Sequence, residues 1–66
     1  MIEVTEKFKE KIFSTIDEME KSNLLTAEIS ALPGFFVYST YYVLDREGVN
    51  FLELNYKDKR YIVTML

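Results

Sequence analysis

Apolar side chains at Val4, Phe8, Ile12, Ile16 and Met19 fall four and three residues apart, the spacing of one stripe on an α-helix from Val4 to about Lys21. The opposite arc holds Glu6, Lys7, Glu10, Lys11, Ser14, Asp17, Glu18 and Lys21, so this helix packs by one side. Glu3 with Lys7, and Asp17 with Lys21, stand four apart in the favourable order, with the first-turn acids near the positive end of the helix dipole. Phe13 lies off the stripe, either flanking the core or as an exposed contact. Ser22-Asn23 reads as the end of the helix, because asparagine tolerates the left-handed conformation that caps a C-terminus.

Between Asn23 and Leu32 two patterns compete. Leu25, Ile29 and Leu32 suit a helical turn capped by Thr26, while Leu25, Ala27, Ile29 and Ala31 alternate with polar residues as a strand does. The strand is the preferred reading. Pro33-Gly34 then turns the chain, proline presetting φ at the second turn position and glycine accepting a positive φ at the third. From Phe35 the period is two and Tyr, Phe and Val dominate. Asp45-Arg46-Glu47-Gly48 matches a three-residue hairpin loop with a left-handed glycine, which sets Val43 opposite Phe51, Tyr42 opposite Leu52 and Thr40 opposite Leu54. A two-residue loop at Asp58-Lys59 sets Leu54 opposite Val63 and Leu52 opposite Met65. The expected fold is a single small α+β domain over residues 1–66, an N-terminal amphipathic helix packed on a three- to four-stranded antiparallel β-meander.

Those pairings divide the sheet into two faces. Phe36, Tyr38, Thr40, Tyr42, Leu52, Leu54, Tyr56, Tyr61, Val63 and Met65 form the face expected under the helix. The other face carries Phe35, Val37, Tyr41, Val43, Phe51 and Ile62 among Ser39, Glu53, Asn55 and Thr64, more apolar than a solvated face needs. It reads as a contact surface, the alternative being that neighbouring segments fold over it. The final strand, Tyr61 to Leu66, lies at the edge of a simple meander and has no charge, proline or glycine to discourage pairing, so it is a second contact candidate. The expected partner-binding residues are Phe35, Val37, Tyr41, Val43, Phe51, Ile62 and Leu66.

Composition narrows the chemistry. The 66 residues contain neither Cys nor His, which removes disulfides and the usual zinc, copper and non-haem iron ligands. At this length a domain has little stability to spare, so a protein partner or a second copy, as in a homodimer, is the expected support. Hydrophobic residues make up 48% and only two Gly and one Pro occur, which is the composition of a folded chain. No apolar run approaches a membrane span, and MIEVTEKF lacks the basic start and apolar core of a signal peptide. Read as a complete chain, this is expected to be a cytoplasmic protein.

The catalytic groups that remain are few. Ser14, Ser22, Ser30 and Ser39 have no histidine base and no nucleophile-elbow context, and Asp45 with Glu47 brackets a turn. No phosphate-cradling glycine loop and no calcium-ligand series is present. No catalytic residue, metal site or cofactor is therefore assigned. Lys57, Lys59 and Arg60 are the only local basic cluster, and Tyr56 and Tyr61 flank them, a pattern that suits single-stranded nucleic acid. Asp58 within the cluster and the net charge of −3 weigh against that reading. The acidic helix arc raises a further alternative, mimicry of nucleic acid, weakened by Lys7, Lys11 and Lys21 among the acids. The expected function is a small non-catalytic protein–protein interaction module, a regulator or inhibitor of a larger protein.

Overall fold

The computed structural model describes residues 3–39 and 50–65. Its elements run α1 (Glu6–Ser22), β1 (Thr26–Glu28), β2 (Phe35–Ser39), β3 (Asn50–Tyr56) and β4 (Lys59–Met65). One helix over a four-stranded antiparallel sheet is the α+β arrangement that the hydrophobic pattern predicts.

Thr5 starts α1 by accepting a hydrogen bond from the Phe8 N–H at 3.1 Å, which satisfies one of the free donors of the first turn. Val4, counted in the stripe, precedes the helix and is exposed. Asn23 ends α1 with φ 56°; its N–H donates to the Glu20 carbonyl, and the Leu24 N–H donates to Met19 at 2.9 Å. This is the Schellman geometry expected of an asparagine there. Ile12, Ile16 and Met19 are buried beneath the helix, and the buried Thr15 hydroxyl donates to the Lys11 carbonyl.

The segment after Asn23 forms a strand, three residues long. β1 pairs antiparallel with β2, with Ala27 opposite Val37. The Phe35 N–H donates to the Leu32 carbonyl across Pro33-Gly34, and Gly34 has φ 86°, as the proline-glycine turn requires.

The strand order is β1-β2-β4-β3, which departs from the simple meander. β4 lies between β2 and β3, pairing Val63 with Val37 on one side and with Leu52 on the other. Two expectations change as a result. The final strand is central instead of at the edge, so its backbone is occupied on both sides. β2 and β3 do not pair over the described residues; the 45–48 loop, with Thr40, Tyr41, Tyr42 and Val43, lies outside them, as does Leu66.

The β3–β4 turn is also displaced. Lys57 and Asp58 both adopt left-handed φ (52° and 62°), the two-residue type I′ pattern, so Tyr56 faces Lys59 and Leu54 faces Tyr61. The loop sits one residue earlier than Asp58-Lys59, which moves the register by two and leaves the faces of β3 and β4 as expected.

The face of β2 is reversed. Because it pairs with β4 and not with β3, its odd residues point to the helix: Phe8 meets Phe35 edge to face at 5.1 Å, and Val37 is fully buried with Ile12, Ile16, Met19, Ile29, Tyr61 and Val63. Phe35 and Val37 therefore belong to the core face, while Phe36 and Tyr38 move to the face away from the helix.

Candidate functional site

Three surfaces can be built from these elements. The first is the sheet face away from α1. Register places Phe36, Thr64 and Phe51 in one row across it, and Tyr38, Ile62 and Glu53 in the next. Phe51 and Ile62 are thus on this face, as the sequence predicts, and Phe36 and Tyr38 join them. Its centre is not open, however: Ile62 and Thr64 are each 2% exposed, and Phe36, Tyr38 and Phe51 are half-buried.

The second surface is the β3–β4 hairpin. Asp17 was expected to pair along the helix with Lys21, but it reaches the hairpin instead, accepting from Lys57 Nζ at 2.8 Å and from the Tyr56 hydroxyl at 3.2 Å. The hydrogen bond from Lys57 holds the Asp17 carboxyl below its ordinary pKa, and the same bond raises that of Lys57. Both groups are exposed, so this pair adds little stability by itself. The Tyr56 ring is stacked on Phe13 at 4.3 Å and 9°, which makes Phe13 a flank of the core. Tyr61 is buried, and its hydroxyl donates to Glu20 Oε1 at 2.7 Å. Burial first, and then that bond, pushes the Tyr61 pKa up to about 12. Lys59 approaches the same Glu20 oxygen at 3.7 Å. Of the three predicted basic residues, two face helix carboxylates, and both flanking rings are already packed.

The third surface was not picked out by the sequence pattern. At the C-terminal end of α1, a cleft of about 260 Å³ opens between the helix end, the start of β1 and the start of β4. Met19, Leu24, Leu25 and Tyr61 supply its apolar walls, with Asn23 and Ser39 among the polar lining. Glu20, Lys59 and Arg60 supply its charges. Leu24 and Leu25 are 52% and 51% exposed, the most exposed large apolar side chains among the described residues.

Local structure explains this exposure. The left-handed Asn23 turns the chain off the helix axis, and the Leu24 N–H is spent on the Met19 carbonyl. The Leu25 carbonyl accepts from the Ser39 N–H at 2.9 Å, so the backbone of the pair is fixed while its side chains stay in water. The signal in the sequence was the Leu-Leu pair directly after a helix-stopping asparagine; its alternation with Ala27 and Ile29 hid it as ordinary strand pattern.

No protein-family model matches the chain, and no curated protein sequence or solved structure matches it either. No helix among the described residues is long and apolar enough to cross a membrane.

Proposed function

We propose that this protein is a small non-catalytic protein-binding module of the cytoplasm, a regulator or inhibitor of a larger protein, and that it engages its partner through the cleft at the end of α1. The observation that carries the reading is the exposure of Leu24 and Leu25 beside a concavity. Both leucines are about half exposed on a fixed backbone, and together they offer apolar area that a partner seated in the cleft would remove from water. Anchoring an interface on apolar side chains in a pocket ringed by polar groups is the common arrangement at protein contacts.

The face away from the helix is the weaker contact surface, since its central side chains, Ile62 and Thr64, are already out of water. The nucleic-acid reading of Lys57, Lys59 and Arg60 draws less support, because the Tyr56 ring is stacked on Phe13 and Tyr61 is in the core, leaving neither as a platform for bases.

The test is site-specific photo-crosslinking in the native host, with a benzophenone side chain at Leu25 and, as control, at the exposed Glu10 on the outer arc of α1. A discrete protein adduct from position 25 and none from position 10 supports the reading, and an adduct of twice the chain mass identifies a second copy as the partner. Absence of any adduct at position 25, or equal adducts at both positions, overturns it.

A further inference from the structure

β1 ends the order of described strands, and its backbone has one bonded side and one open side. The Ser39 N–H donates to the Leu25 carbonyl and the Ile29 N–H to the Phe35 carbonyl, each at 2.9 Å, so Leu25, Ala27 and Ile29 are the residues bonded to β2. Thr26 and Glu28 therefore turn their N–H and C=O groups outward. Both residues are exposed, and neither backbone is hydrogen-bonded on that side among the described residues. The stretch from Leu25 to Ile29 has no proline or lysine, two usual guards of an open edge, and Glu28 is its one charge. The edge is short, yet the bonds at Leu25 and Ile29 hold it extended at both ends.

We infer that β1 pairs with β1 of a second copy of this chain, antiparallel across a two-fold axis at Ala27, so that the two four-stranded sheets become one. The inference concerns the backbone of this edge and not the leucine cleft, so it stands apart from the reading above. Register selects the occupant. With Ala27 opposite Ala27, Thr26 of each copy faces Glu28 of the other, and each such pair exchanges both of its N–H···O=C bonds. A register centred on Glu28 would set two carboxylates against each other. One centred on Thr26 would oppose Glu28 to Leu24, whose N–H is already given to the Met19 carbonyl. The Ala27 register satisfies every outward group of β1 without opposing like charges, and the same surface serves both copies, as a two-fold contact requires. A chain this short also gains stability from closing an open edge on its own copy.

The test mixes 13C-labelled and unlabelled full chains at millimolar concentration. A nuclear Overhauser contact between the α-protons of Ala27 in the two copies is expected, because a pair of this kind brings its Cα atoms to about 4.5 Å. The Thr26 and Glu28 amides are expected to exchange with solvent severalfold more slowly there than at micromolar concentration. Thr26→Pro removes an outward N–H and spares the bonds to β2, and it should weaken the dimer about tenfold in sedimentation equilibrium. Its amide spectrum away from β1 reports that the fold is kept. A chain that stays monomeric at millimolar concentration overturns the inference, as does a dimer that lacks the Ala27 contact or that Thr26→Pro leaves unchanged. Cross-copy contacts from Leu24 and Leu25 in place of Ala27 would assign the dimer to the cleft, which overturns the β1 pairing and keeps the cleft as a protein site.

Discussion

β3 and β4 are both seven residues long and are joined by a two-residue turn, yet they occupy different surroundings. β4 is paired on both sides, and four consecutive residues, Tyr61 to Thr64, are buried whichever face they point to. β3 is paired on one side among the described residues, and exposed Asn50, Glu53 and Asn55 interrupt its half-buried positions. The difference lies in the sequence of each strand. YIVTM offers apolar or small hydroxyl side chains to both faces, as a strand enclosed on both faces must, whereas NFLELNY places polar groups on the outward face. A strand with no charge to guard an open edge need not be a hazardous edge; here it is the middle of the sheet.

The largest effect that can break this contrast is at Ile62, on the β4 face that α1 does not cover. Ile62→Ala is expected to cost about 3 kcal/mol in urea denaturation. Asn55→Ala on β3 should stay within about 0.5 kcal/mol. Equal small costs would mean that the face is open at its centre and that the contrast is wrong. Next in size is Phe13→Ala, expected to cost about 1.5 kcal/mol, because it removes the ring that stacks on Tyr56 and leaves the helix-side flank of the β3 end unsupported.

A pH series sharpens the account of β4 through Tyr61. Tyr61 in β4 titrates higher in the folded state, at about 12, than its ordinary value of 10.0. The folded chain therefore holds that proton more tightly than the unfolded one, so the stabilisation is complete below pH 10 and is lost as pH rises through 12. Stability should fall across that window, and Tyr61→Phe should flatten the fall. At the acid end the sign reverses: the lowered Asp17 pKa gives stability that is present above about pH 4 and declines as pH falls through its folded value. The smallest effect is in the turn that joins the strands. Asp58 has φ 62°, so Asp58→Gly should raise stability by about 0.5 kcal/mol in the same denaturation assay.

Local signals in the chain carried most of the elements. The stripe from Phe8 to Met19, the Asn23 cap and the Pro33-Gly34 turn are all fixed by residues within one turn of each other, and they formed as their chemistry requires. Strand order is a different kind of question, because it depends on which distant strand offers two buried faces. The hairpin expected around residues 45–48 lies outside the described residues, but extending its register into β2 presumes β3 as the neighbour; β2 pairs with β4 instead, which reverses its face and moves Phe35 and Val37 into the core and Phe36 and Tyr38 out of it. The cleft was illegible for a related reason. Leu25 alternates correctly for a strand, and only the three-dimensional end of the sheet shows that no element covers it among those described. Glu20, one more acid on the helix, likewise gains its role only when Tyr61 and Lys59 arrive from forty residues away.

The placement of β4 between β2 and β3 is the claim on which the rest depends, since it removes the final strand from the sheet edge, reverses β2 and opens the cleft beside Tyr61. Methyl–methyl nuclear Overhauser contacts of Val63 test it directly, because Val37 and Leu52 face it from opposite sides on the same sheet face. Contacts from Val63 to both Val37 and Leu52 are the predicted result. Contacts from Val63 to β3 alone, with Leu52 reaching β2 directly, would restore the meander with β4 at its edge and contradict this account.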